Sequence, residues 1–85
     1  MFLNLGKYPR PDGALLFKRK NKYHLIVLEL KFNKTLKAAF DQITARRYVE
    51  RSIGYVKRRA DITVDDRCIY IAAGNMDKHN QVHYY

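Results

Sequence analysis

Asp12, Glu29 and Lys31 are the residues of this chain whose types and spacing could carry out a reaction. Glu29 and Lys31 stand two apart in the run V-L-E-L-K-F, Val27 to Phe32, and side chains two apart on a strand share a face. Asp12 lies in R-P-D-G, Arg10 to Gly13, just ahead of the first of two apolar runs joined by a short polar break at Asn21-Lys22. Such a pair of runs reads as a β-hairpin. A hairpin lays the end of its second strand beside the start of its first, so Asp12 is expected beside Glu29 and Lys31. Two carboxylates hold a hard divalent cation that keeps several waters and accepts a phosphate oxygen. The cation acidifies bound water and stabilises charge building on the phosphoryl group. A lysine alongside orients the attacking water and adds positive charge where it is needed. The chemistry this trio suggests is metal-assisted phosphodiester hydrolysis.

Placement, more than the triplet itself, gives that reading its weight. An E-x-K arises by chance in about a quarter of chains this long, and on an exposed strand it is an intrastrand ion pair. Here the triplet ends an apolar strand, a P-D-G stands one hairpin upstream, and a basic helix follows. Seventeen Lys and Arg against eight Asp and Glu give a formal charge of +9, which implies a polyanionic partner, nucleic acid before an anionic membrane. Lys18, Arg19 and Lys20 at the hairpin tip, Lys34 after it, and Arg46 and Arg47 on the helix are the expected phosphate contacts. No element carries a base-reading code, so any specificity is expected for backbone or structure. His79 and His83 are four apart but span a turn and a strand, with no partner at metal-site spacing. The tyrosines fit half-buried strand packing better than base stacking.

The elements that must position these residues follow from periodicity. Residues 14–20 and 23–32 form the hairpin, and the long second run suggests a strand buried on both faces. Asn33 or Thr35 caps a helix in which Leu36, Ala39, Phe40 and Ile43 keep helical spacing. Arg46, Arg47, Glu50 and Arg51 continue its charged face, and Gly54 is the expected end. The stretch from Tyr55 to Arg67 holds another helical turn before a loop. R-C-I-Y-I-A-A-G reads as a buried strand, N-M-D-K-H-N-Q as a turn and V-H-Y-Y as a last strand paired back. Strand, strand, helix, strand, strand implies an α/β or α+β fold with a mixed sheet.

At 85 residues the chain is one small domain, 1–85, with a limited core. Its single Cys68 allows no internal disulfide and reads as a small buried hydrophobe in a reducing compartment. No apolar stretch is long enough to cross a bilayer and the start lacks a signal-peptide pattern, so the expected location is cytoplasmic.

Taken together, R-P-D-G…V-L-E-L-K followed by A-A-F-D-Q-I-T-A-R-R-Y resembles the PD-(D/E)XK nuclease superfamily. It is most similar to the nuclease-like domain found C-terminal to AAA-ATPase-like domains. The motifs that carry the likeness are Arg10-Pro11-Asp12, Glu29-Leu30-Lys31, Gln42-Ile43 with Tyr48, Ile69-Tyr70-Ile71 with Gly74, and Asp77. The resemblance implies a minimal restriction-endonuclease-like core and a Mg²⁺- or Mn²⁺-dependent nuclease acting on DNA. It implies that Asp12, Glu29 and the carbonyl of Leu30 bind the metal, that Lys31 assists the water, and that Gln42 lies near the site. Tyr48 matches the motif tyrosine. The family core begins with a helix that often carries a further acid, whereas only nine residues precede Arg10 and none is acidic. The N-terminal helix is therefore expected to be absent, with a homodimer or a completing partner subunit in its place. The same departure leaves a second reading, a nucleic-acid-binding or assembly module that keeps the nuclease fold without catalysis.

Overall fold

In the computed structural model, which describes residues 1–7, 9–76 and 82–84, the chain is an α+β domain built on one mixed sheet. The elements are β1 (Gly13–Arg19), β2 (Lys22–Phe32), α1 (Leu36–Ala45), α2 (Tyr48–Ala60), a single 3-10 turn at Asp66–Cys68, β3 (Ile69–Met76) and β4 (Val82–Tyr84). The strands lie in the order β1-β2-β3-β4. β1 and β2 are antiparallel, β2 and β3 parallel, β3 and β4 antiparallel. The two helices make the crossover that a parallel pair requires.

The hairpin turns at Lys20 and Asn21, one residue earlier than the polar break suggested, and both have positive φ (50° and 64°). Two successive positive-φ residues make a two-residue turn whose twist matches that of the strands. The register pairs Gly13 with Leu28 and Arg19 with Lys22, so Asp12 meets the chain beside Glu29. Ahead of β1, the Leu3 amide donates to the Ala14 carbonyl at 2.8 Å and Phe2 bridges to Leu15. Met1 and Leu16 also exchange hydrogen bonds, the Leu16 amide donating to the Met1 carbonyl at 2.9 Å and the Met1 amino group to the Leu16 carbonyl at 2.8 Å.

β2 is buried on one face only, which corrects the expectation of two. Leu25, Val27 and Glu29 are buried while Ile26, Leu28 and Leu30 between them are half-exposed. Leu16, Leu25, Val27, Ile43, Tyr48, Val56, Val64 and Cys68 form one core, which places both helices against that face. The opposite face carries a stack of Phe17, His24 and Tyr70, with ring centroids 5.1 and 5.9 Å apart. β3 is likewise only partly buried, since Tyr70 and Ile71 are exposed and Ala73 is not.

Where one helix ending at Gly54 was expected, there are two. α1 starts at Thr35, whose hydroxyl accepts from the Ala38 amide at 3.1 Å. It closes at Arg46, and Arg47 then turns into the left-handed region (φ 55°) before α2 begins. The core requires this break. Ile43 and Tyr48 are five residues apart, and a continuous helix would rotate Tyr48 roughly 140° away from Ile43. Re-aiming the chain at Arg47 returns Tyr48, Ser52 and Val56, at four-residue spacing, to the interior. α2 runs through Gly54 to Ala60 and ends at Asp61, also left-handed (φ 53°). No helix among the described residues is long and apolar enough to cross a membrane.

Candidate functional site

Asp12, Glu29, Lys31 and Gln42 come together where β1 begins and β2 ends. The Asp12 carboxylate accepts the Leu30 amide at 2.6 Å, and the Asp12 amide in turn donates to Glu29 Oε2 at 3.3 Å. These reciprocal contacts fix the R-P-D segment against the last turn of the β2 ladder. Glu29 follows Leu25 and Val27 on the core face and is only 3 % exposed. Lys31, two residues on, sits at the rim of that face with its ammonium 3.8 Å from Glu29 Oε1.

Gln42, on α1, joins Glu29, Lys31 and Tyr48. Its Nε2 donates to Glu29 Oε1 at 2.8 Å and to the Tyr48 hydroxyl at 3.1 Å, while its Oε1 accepts from the Lys31 ammonium. The orientation of the amide is dictated by its partners: an ammonium only donates and a carboxylate only accepts, so each end of Gln42 has one chemically permitted neighbour. Tyr48 is fully buried and acts through Gln42 rather than by reaching the cleft.

The electrostatics are those of two acids held close together in a poorly solvated place. Burial pushes the Glu29 carboxyl above the usual glutamate range, and the neighbouring Asp12 charge pushes it further in the same direction. The Asp12 amide and the Lys31 ammonium oppose the rise without cancelling it. A group in this situation gains from a cation at the mouth of the site. The cleft above it has a volume of about 1080 Å³ and includes Asp12, Glu29, Leu30, Lys31 and Gln42 in its walls.

Lys7 and Arg10 also line this cleft, and the sequence reading did not place them there. Arg10 is anchored by a 3.0 Å bond from its Nη1 to the Gly6 carbonyl. Its adjacency to Asp12 was the available signal, though nothing in the sequence said that residues 3–7 fold over the same opening. Asn75 was missed as well. It is the register partner of Lys31 across the parallel pair, and its Oδ1 is buried without a hydrogen-bond partner. A buried oxygen left without a donor is uncommon, and this one stands one strand away from the ammonium of the site.

The other expected contacts are distributed unevenly. Lys34 lies in the exposed loop directly after β2, at the site end of the sheet. Arg46 and Arg47 sit at the α1–α2 junction. Lys18, Arg19 and Lys20 lie at the far tip of the hairpin, about 20 Å from Asp12 at the rise of an extended strand. His24 stacks between Phe17 and Tyr70 and its Nδ1 is 3.1 Å from the Tyr70 hydroxyl. The expectations for Asp77, His79 and the His83 side chain fall outside the described residues. Among those described, no cluster of three or more His, Cys, Asp or Glu is present, so the site offers two carboxylates.

Comparison with known protein families, with curated proteins and with solved structures finds no match.

Proposed function

We propose that this chain is a metal-dependent nuclease domain, most simply one that hydrolyses phosphodiester bonds in DNA, with a minimal core of the PD-(D/E)XK kind. One observation carries the reading. A buried glutamate, an aspartate fixed to the neighbouring strand and a lysine within 3.8 Å converge at the floor of an open cleft with basic walls. The donor set suits Mg²⁺ or Mn²⁺: hard oxygens, few enough that the ion keeps several waters. Asp12, Glu29 and the backbone carbonyl of Leu30 are the groups that would hold it. When bound, the cation supplies charge to the scissile phosphate and lowers the pKa of water.

The remaining work falls to the chain's own side chains. Lys31 holds the attacking water toward phosphorus and offers a positive charge to the oxygens that gain electron density. Gln42 keeps Lys31 and Glu29 in register with each other, and Tyr48 keeps Gln42 in place. Lys7 and Arg10 hold the flanking phosphates at the cleft wall. Asp12→Ala, Glu29→Ala and Lys31→Ala are each expected to abolish Mg²⁺-dependent cleavage of plasmid DNA while the circular dichroism of the fold persists. Undiminished cleavage in all three would remove the assignment.

A second reading, a nucleic-acid-binding or assembly module without catalysis, draws on the two-carboxylate donor set. It predicts salt-sensitive DNA binding with no cleavage in Mg²⁺ or Mn²⁺ and no heat of metal binding. The half-exposed apolar sheet face is where a second copy or a completing subunit would dock under either reading, and sedimentation equilibrium reports its presence.

A further inference from the structure

A second cavity, about 590 Å³, adjoins the cleft that holds Asp12 and Glu29. Leu5 lines both, so the two openings meet at its side. Arg51 ties Pro9 to α2 by donating from Nη1 to the Pro9 carbonyl. The cavity presents Arg46, Arg47, Arg51 and Arg58, with Glu50 the one acid among the described residues that line it.

Two backbone features involve the arginines of this cavity, and both depart from local preference. Arg47 takes the left-handed conformation with φ 55°, where glycine or asparagine is favoured and a longer side chain is strained. Gly54 sits inside α2, where alanine is the better helix former. A Cβ at Gly54 would lie 2.9 Å from Arg58 Nη1, so the missing side chain is the space into which the Arg58 guanidinium folds. In each case the departure either falls on a cavity arginine or makes room for one. Departures from local preference of this kind cluster at functional sites.

We infer that this arginine-lined cavity holds the sugar–phosphate backbone of the same nucleic-acid strand whose scissile phosphate lies at Asp12 and Glu29. The inference rests on the nuclease reading for its second half and on the cavity alone for its first. Guanidinium groups match phosphate geometry in a way that lysine does not. Glu50 Oε2 is 3.8 Å from Arg47 Nε, and it occupies that arginine until a phosphate replaces it. The hairpin-tip cations lie at the opposite end of β1 and β2 and take no part in this path.

The test is binding of a short fluorescent DNA duplex, followed by anisotropy across a salt series in EDTA so that no cleavage occurs. Arg47→Asn combined with Arg58→Ser keeps a residue that tolerates the left-handed turn. It is expected to lower the slope of log K against log salt by about two, one per lost phosphate contact. Lys18→Ser with Arg19→Ser removes the same charge and is expected to leave the slope unchanged. Glu50→Gln is expected to tighten binding severalfold. An unchanged slope in the cavity variant, an equal fall in the hairpin variant, or no tightening in Glu50→Gln overturns the inference. So does a cavity variant that loses binding to anionic phospholipid vesicles while keeping its DNA slope. Cleavage in Mg²⁺ is scored separately. A parent chain that cuts nothing while the cavity slope still falls removes the nuclease reading and leaves the cavity's occupant as inferred.

Discussion

Glu29 is held where its charge is least welcome, on the core face of β2 beside a second carboxylate. Its folded pKa lies above the unfolded one, so the folded chain binds the extra proton in that interval and loses stability as pH rises through it. Thermal melts in EDTA are expected to show this fall, and Glu29→Gln is expected to flatten it. Gln42 is the residue through which the site holds together, because both its donors and its acceptor are engaged. Gln42→Ala is expected to cost about 10–100-fold in metal affinity or cleavage, the usual loss when a ligand's own partner is removed. Calorimetric titration with Mg²⁺ and a plasmid assay read the two separately. Tyr48→Phe removes one hydrogen bond, about 1 kcal/mol. Tyr48→Ala empties a fully buried site and is expected to cost about 3–5 kcal/mol by analogy with other large aromatics. Urea unfolding distinguishes them.

The strand–turn–strand unit positions the groups on which the proposed chemistry would depend. The Gly13–Leu28 register leaves Asp12 one step from the ladder, close enough for its carboxylate to take the Leu30 amide. The helices supply Gln42 and Tyr48 from one face, and the break at Arg47 is what allows both to point inward. Because Arg47 is strained and Gly54 is a poor helix former, Arg47→Gly and Gly54→Ala are each expected to raise stability by about 0.5–1 kcal/mol. The flexible end of Arg58 is what gives way in the second. Thr35→Ala runs the other way, losing the α1 cap at about 1 kcal/mol. Chemical denaturation of the three variants, compared with their DNA affinities, separates what the helices contribute to folding from what they contribute to binding.

At the scale of the molecule, one sheet face carries the whole core. A chain of this length has about 4–13 kcal/mol of total stability, and Leu25 is fully buried at the centre of it. Leu25→Ala is expected to cost about 2–5 kcal/mol, enough to bring the domain near its unfolding midpoint in a urea titration. The other sheet face adds the Phe17–His24–Tyr70 stack but little burial. The excess charge of +9 is therefore carried by a thin domain whose candidate site and arginine cavity meet at Leu5.

Much of this was written locally in the sequence. Alternation along Val27 to Lys31, the turn chemistry at Asn21 and the cap at Thr35 depend on neighbours in the chain, and so did the expectation that Asp12 lies beside Glu29. Helical spacing around Gln42 placed it on α1, and the mixed sheet followed from the order of elements. What depended on distant partners was not legible. No breaker marks Arg46-Arg47, because the break exists to bring Tyr48 back to a core assembled from three other segments. The one-sided burial of β2, the engagement of Gln42 by Lys31, Glu29 and Tyr48 together, and the folding of Lys7 and Arg10 over the cleft are of the same kind. Each depends on residues brought together only by the assembled sheet and its helices, and periodicity along the chain carries no information about such contacts.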